Sequence, residues 1–239
     1  MTCKGVENMD ISLFYQEKGK GIPFIFLHGN GGDSNYFKKQ IDYFSNNYRV
    51  IAVDTRGHGK TERGTRPFTI EQFADDLNEF LNERKIEKAI ILGFSDGANI
   101  AMKFVMKYPN KVSALILNGG NLDTKGIKKR IQIPIDIGYS ITKMFIKKSE
   151  VAKHNMELLK LMVNEPNISI ENLHKIKLPT LVIAGTHDMI KESHTKKIAE
   201  NISGSKLSII KGNHFIANKE AEKFNSEIEK FLEINKEKI

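Results

Sequence analysis

The sequence predicts an α/β protein with a mostly parallel sheet and helices on both faces. Short apolar runs alternate with amphipathic helical segments along most of the chain. The runs are rich in Ile, Leu, Val and Phe, as strands that are buried on both faces must be. A chain of 239 residues is long enough for one well-buried domain, and no linker-like segment divides it. We therefore expect a single structural domain.

The predicted strands are read from the apolar runs, each of which ends in a polar or Gly-rich turn. An N-terminal strand or hairpin is expected in MDISLFYQEKG, residues 9–19. Six runs follow it: IPFIFLHG (22–29), YRVIAVD (48–54), KAIILG (88–93), VSALILNGG (112–120), TLVIAG (180–185) and SKLSIIKG (205–212). This alternation with helices is typical of a parallel sheet.

The predicted helices are those with 3.6-residue periodicity and recognisable start signals. They cover 34–47, 69–84, 95–108, 193–201 and 216–234. Ser34 and Thr69 occupy N-cap positions, and Gln72 follows Thr69 at the spacing of a capping box.

One segment, residues 121–178, interrupts the alternation because it has helical periodicity but no strand-like run. We interpret it as a helical insertion over a core made of 1–120 and 179–239. Most of its apolar side chains should pack within the insertion, and a minority should face the C-terminal ends of the strands. The apolar side chains of the insertion include Met144, Phe145, Met156, Leu158, Leu159 and Met162.

Composition limits the classes of partner. The net charge of +8 comes mostly from scattered Lys, and the tightest clusters, KGIKKR (125–130) and IKKS (146–149), are expected to be solvated faces. We therefore expect neither a nucleic-acid nor a membrane partner. The single Cys3 makes no internal disulfide, and no signal peptide or run of about 20 apolar residues is present, so a cytoplasmic location is expected.

The chemistry is expected where Ser95 lies between two glycines, in Gly93-Phe94-Ser95-Asp96-Gly97. A predicted strand precedes this stretch and a helix follows it. Ligands of open α/β sheets bind at the carboxyl ends of the strands. The glycines permit a sharp, strained turn that holds the serine hydroxyl above the sheet.

A serine hydroxyl needs a base to remove its proton, and the base needs a group to orient it. Asp188 and His214 each follow a predicted strand, in the chain order Ser, Asp, His. The six other histidines lack such placement, and we expect most of them to be structural or solvated: His28, His58, His154, His174, His187 and His194. Two backbone N–H groups, of Asn30 and Asp96, could stabilise an oxyanion.

These motifs resemble the α/β-hydrolase superfamily over essentially the whole chain. The matching pieces are HGNGG (28–32), DTRGHG (54–59), GFSDG (93–97), GTHD (185–188) and GNH (212–214). The resemblance implies the α/β-hydrolase fold and a Ser95, His214 and Asp188 triad, with the insertion as a cap. It also implies that Asp54 and Arg56 are fold residues.

Two acids leave alternatives open. Asp123 follows the strand SALIL and is a rival to Asp188, because some relatives place the triad acid there. The carboxylate of Asp96, about 6 Å from an oxyanion, would repel it by about 3 kcal/mol at an effective dielectric near 20. Its side chain must therefore point away, pair with Lys or Arg, or meet a cation on the substrate.

The resemblance implies acyl transfer on small-molecule esters, thioesters, lactones or amides, without a cofactor or a metal. Serine at position 95 argues against dehalogenases and epoxide hydrolases. Those enzymes have a turn similar to GFSDG (93–97) but carry aspartate at the position of the serine. The Gly-x-Ser-Asp-Gly turn at 93–97 looks like that of biphenyl-hydrolase-like enzymes, which cleave amino-acid esters. Asp96, Phe94 and Phe215 are therefore candidate substrate contacts, although Phe94 is also expected to pack. A triad-retaining receptor with slow turnover and a carbon-carbon bond hydrolase remain alternatives.

Overall fold

The computed structural model describes residues 10–145 and 149–239, apart from the side chain of Phe145. Cys3 and most of the 146–149 cluster therefore lie outside the described residues. Seven strands form one sheet in the order β1-β3-β2-β4-β5-β6-β7. They are β1 (Tyr15–Lys18), β2 (Pro23–Leu27), β3 (Arg49–Val53), β4 (Ala89–Phe94), β5 (Val112–Asn118), β6 (Thr180–His187) and β7 (Lys206–Asn213).

The sheet is parallel except at one edge, where β1 pairs antiparallel with β3. Each of the six predicted apolar runs overlaps one of the strands β2 to β7, and β4, β6 and β7 extend one or two residues beyond their runs. Every residue of β4 and β5 is buried, as expected for strands covered on both faces. The prediction of a mostly parallel sheet is therefore confirmed.

Helices cover both faces of the sheet. Their bounds are α1 (Lys38–Phe44), α2 (Ile70–Glu83), α3 (Asp96–Lys107), α4 (Lys129–Phe145), α5 (Glu150–Asn164), α6 (Ile170–Leu173), α7 (Glu192–Glu200), α8 (Ile216–Lys219) and α9 (Ala221–Ile234). One buried core joins the sheet to α2, α3 and α7, and a second joins its other face to α1, α8 and α9.

Of the two predicted N-caps, one is confirmed and one is wrong. Thr69 caps α2 as predicted, because its hydroxyl accepts a hydrogen bond from Gln72 N at 3.1 Å. The prediction that Ser34 is an N-cap is wrong. Asp33 caps the short 3-10 turn before α1, and Ser34 N instead donates to Asp54 Oδ1 at 2.7 Å.

The segment between β5 and β6 contains helices α4, α5 and α6. Leu161 of α5 is buried in the core beside α3, whereas Met144 of α4 is 78% exposed. Met144 is therefore an exception to the expectation for most of these side chains, whereas Met156, Leu158, Leu159 and Met162 are partly buried. None of the described helices combines the length and the apolar character that a membrane crossing requires.

The DTRGHG turn is tied into the fold. Arg56 is fully buried and donates to both carboxylate oxygens of Asp76, at 2.7 and 2.6 Å, and also to Asp10. Asp54 accepts hydrogen bonds from Ser34 N and Lys60 N. These contacts agree with an architectural role for Asp54 and Arg56.

Candidate active site

Ser95 lies at a strained turn between β4 and α3. Its φ of 53° and ψ of −119° are rare for a residue with a side chain. A Cβ at Gly93 would lie 2.2 Å from Gly97 O, and a Cβ at Gly97 would lie 2.0 Å from Leu27 O. Both positions therefore require glycine, and the turn leaves Ser95 at the carboxyl end of the sheet.

Asp188 and His214 meet at the ends of β6 and β7. His214 Nδ1 lies 2.7 Å from Asp188 Oδ1, and both side chains are almost completely buried. Asp188 Oδ1 also accepts from Ile190 N at 2.9 Å. Because a carboxylate only accepts, Nδ1 of His214 is assigned the proton, which leaves Nε2 as a free acceptor.

The histidine lies beside the serine turn. The centroid of the His214 ring lies 4.8 Å from the ring centroid of Phe94, the residue before Ser95. A Cβ at Gly119 would come within 2.8 Å of His214 Cε1, so glycine there makes room for the imidazole. No hydrogen bond joins Ser95 Oγ to His214 among the described atoms, and such loose geometry is common in unliganded sites.

The rival acid has a different contact. Asp123 Oδ1 accepts from Gly126 N at 3.2 Å and so caps a short turn at the start of the insertion. Asp188, by contrast, is the acid hydrogen-bonded to His214. The geometry therefore favours Asp188 over Asp123.

Two of the remaining histidines are structural. His28 Nε2 accepts from Thr55 N at 3.0 Å, and burial lowers the pKa of His28. His58 Nδ1 donates to Arg56 O at 2.9 Å, and burial lowers the pKa of His58 to about 4. Both are therefore neutral at pH 7 and fix the turns that contain them.

The candidate oxyanion donors are available. In the described chain, the backbone N–H groups of Asn30 and Asp96 have no protein acceptor. The Asn30 side chain donates to Asp96 Oδ2 at 3.0 Å and to the carbonyl oxygen of Leu158 at 2.9 Å. These bonds connect the turn after β2, the serine turn and α5.

The Asp96 carboxylate is held by asparagine amides. Asn99 Nδ2 donates to Asp96 Oδ1 at 3.1 Å and to Asn121 Oδ1 at 3.0 Å, and Asn121 N donates back to Asn99 Oδ1 at 2.9 Å. Sequence analysis missed Asn99 and Asn121. Asn99 could have been found, because residues three apart on a helix are neighbours.

The charge of Asp96 is not paired with Lys or Arg in the part of the chain that the structure describes. Of the alternatives for this carboxylate, a Lys or Arg partner is therefore wrong for the described residues. Burial raises the pKa of Asp96, and the hydrogen bonds from Asn30 and Asn99 partly oppose that rise. The carboxyl group therefore takes up a proton more readily than an exposed aspartate does.

The two candidate aromatic contacts differ in access. Phe94 is 4% exposed and stacks on Tyr36, with 4.3 Å between the ring centroids. It therefore packs in the core, and the structure does not support a substrate contact for it. Phe215 is 47% exposed and lies 5.6 Å from the ring of His214. Phe215 is therefore the aromatic side chain that is free to contact a substrate.

The arrangement matches known proteins. A family profile described as alpha/beta hydrolase fold matches residues 22–136. The AB hydrolase superfamily protein YisY of Bacillus subtilis is 28% identical over 92% of this chain and 95% of its own. Human serine hydrolase BPHL is 24% identical over 93% of this chain and 84% of its own. The crystal structure of the enol-lactonase from Burkholderia xenovorans LB400 superposes with a TM-score of 0.79 at 20% identity, over 93% of this chain and 96% of that one.

Proposed function

The chain belongs to the α/β-hydrolase superfamily, and from that premise we propose that it is a serine hydrolase of small-molecule esters, thioesters, lactones or amides. The observation that supports this most is the buried 2.7 Å contact between His214 Nδ1 and Asp188 Oδ1 beside the Ser95 turn. A base oriented by an acid next to a strained serine is what acyl transfer needs.

In the proposed mechanism, Ser95 Oγ attacks the substrate carbonyl while His214 Nε2 takes its proton. The negative charge that develops on the carbonyl oxygen is stabilised by the N–H groups of Asn30 and Asp96. His214 then gives the proton to the leaving group, and an acyl-Ser95 ester forms. Water, deprotonated by His214, hydrolyses that ester and regenerates the serine.

The insertion, residues 121–178, is proposed to act as a cap. Two contacts of α5 support this. Arg63 and Glu157 form a salt bridge with an Nη2 to Oε1 distance of 2.6 Å. Asn30 Nδ2 donates to the carbonyl oxygen of Leu158. Because Asn30 also supplies a proposed oxyanion donor, a change in the position of α5 would alter the geometry of that donor.

Asp96 is proposed to favour substrates with an α-amino group. Its carboxylate lies beside a proposed oxyanion donor and meets only neutral amides in the described structure. A substrate ammonium would supply the missing positive charge and offset repulsion of the oxyanion. A buried hydrogen bond between charged groups contributes about 1.5 to 3 kcal/mol, or about 10- to 100-fold in kcat/KM.

The amine proposal is tested with wild type and Asp96→Asn on an aminoacyl ester and its des-amino analogue. We expect the variant to lose about 10- to 100-fold on the aminoacyl ester and much less on the analogue. Equal losses on both esters would end the amine proposal and leave the serine hydrolase proposal intact.

A turnover assay separates the proposed enzyme from a receptor. Short-chain p-nitrophenyl esters should give many turnovers per active site, and Ser95→Ala should remove them. A single slow burst without further turnover would favour a small-molecule receptor. Turnover of a dienoate or β-diketone, with none on any ester, would favour a carbon-carbon bond hydrolase.

A further inference from the structure

Helix α4 presents an apolar stripe to solvent. We define this stripe as Ile133, Ile137, Ile141 and Met144, which are 52 to 78% exposed. Their spacing of four, four and three residues places them on one side of the helix. The opposite side packs against α5. The helix is about 25 Å long at 1.5 Å per residue, so the stripe follows most of its length.

The stripe is unlike the other exposed apolar side chains that the structure describes. Outside the insertion these are Ile22, Tyr43, Phe215 and Ile234. They come from separate elements, and single exposed hydrophobic residues of this kind are normal. A continuous apolar stripe indicates a surface that another body covers. Within the insertion, Val151 at the start of α5 is also exposed, at 69%.

Basic side chains flank the stripe at both ends of α4. Lys129 and Arg130 are exposed at its first turn, and Lys143 is exposed at its last. None of the three forms a salt bridge within the described residues. Asp136 is the one acid within the helix, where Gln132 donates to it at 2.7 Å. An apolar stripe with Lys and Arg beside it is the pattern of a helix that lies in a membrane interface.

We propose that the outer side of α4 binds the surface of an anionic lipid bilayer. The stripe would enter the boundary between headgroups and acyl chains, and the basic side chains would contact anionic headgroups. This departs from the expectation of no membrane partner. The sequence could not reveal the exposed side of α4, because both of its sides carry isoleucine.

A second copy of the chain fits this surface less well. A two-fold contact of stripe on stripe, with the helices antiparallel, would bring Lys143 of each copy near Lys129 and Arg130 of the other. Like charges would then meet at both ends of the contact. The charge pattern therefore favours an anionic surface over self-association.

The test is co-sedimentation of the full chain with vesicles of phosphatidylcholine containing roughly one-third phosphatidylglycerol, beside vesicles of phosphatidylcholine alone. We expect binding to the anionic vesicles that weakens at high salt. Ile137→Glu with Ile141→Glu should lower the affinity at least about ten-fold, because both charges would enter the apolar boundary. Lys129→Gln with Arg130→Gln should lower it about five-fold per charge removed.

The control is Ile234→Glu in α9, which changes an isoleucine on another element that is 75% exposed and so more exposed than Ile137 and Ile141. It should bind anionic vesicles like wild type. Circular dichroism should be the same for all variants, because every changed side chain is at the surface. Failure of wild type to bind anionic vesicles, or equal binding by Ile137→Glu with Ile141→Glu, would overturn the proposal. A third result would also overturn it: wild type is a dimer that does not bind vesicles, and Ile137→Glu with Ile141→Glu is a monomer.

Discussion

Replacing Asp188 with asparagine changes the charge next to His214 with little change in shape. Asp188 Oδ1 accepts from His214 Nδ1 and Ile190 N, and an amide oxygen in its place can accept both bonds. The other oxygen, Oδ2, is buried without a partner among the described atoms, and an amide nitrogen would occupy its place. The variant should therefore fold but lack the charge that stabilises a protonated His214.

The size of the effect follows from the geometry. The contact is 2.7 Å between nitrogen and oxygen, which puts the centres of charge about 4 Å apart. At an effective dielectric near 20, that pair is worth about 4 kcal/mol in the transition state, where the imidazole is charged. We expect kcat/KM on p-nitrophenyl acetate to fall about 10³-fold, with a thermal midpoint within a few degrees of wild type.

The control is Asp123→Asn, because Asp123 is the rival acid and caps a turn instead of contacting His214. Its kcat/KM should stay within about three-fold of wild type, since removal of a partly buried cap of this kind affects stability by about 1 kcal/mol. A loss smaller than about ten-fold in Asp188→Asn, or a larger loss in Asp123→Asn, would refute the assignment of the acid.

Three further predictions concern stability. The pKa of His58 is about 4 in the folded protein and near 6.5 in the unfolded chain, so the unfolded state binds the proton first as pH falls. This group should lower the free energy of unfolding by about 2 kcal/mol as the pH falls from 7.5 to 5. In His58→Gln, the free energy of unfolding from urea titrations should therefore depend less on pH over that range. Gly93→Ala should prevent folding, because its Cβ would lie 2.2 Å from a carbonyl oxygen. At Gly31 a Cβ meets no atom within 4 Å, so Gly31→Ala should lower the free energy of unfolding by only about 1 kcal/mol, because of its φ of 68°. Asn99→Ala removes a donor from Asp96, so thermal unfolding should report a loss of about 1 to 3 kcal/mol, and a stability equal to wild type would contradict the importance of this bond.

Much of the fold was predictable because strands buried on both faces must be apolar throughout. All six runs therefore overlap strands. The predicted helix 216–234 is divided at Glu220 into α8 and α9, and no Gly or Pro marks that break. Ser34 was mistaken for a cap because Asp33, a residue of equal capping ability, precedes it. Competition between neighbouring caps is settled by tertiary contacts such as that of Ser34 N with Asp54.

The candidate site was partly predictable for a different reason. Parallel strands bring their carboxyl ends together, so residues after β4, β6 and β7 had to meet at one edge. Side-chain directions in the insertion were not predictable, because they depend on which side of each helix packs. The exposure of Met144 and the bond from Asn30 to Leu158 are examples. The contacts of Asp96 with Asn30 and Asn99 likewise required the positions of two separate elements.

The proposed mechanism depends on Ser95 being an activated nucleophile. The most direct measurement is labelling with a fluorophosphonate, which phosphonylates serine only where a base activates it, followed by peptide mapping by mass spectrometry. We expect one adduct per chain, on Ser95. Ser95→Ala should carry no adduct, and His214→Ala should react much more slowly than wild type. An active protein that carries no adduct, or that carries its adduct on another residue, would contradict it.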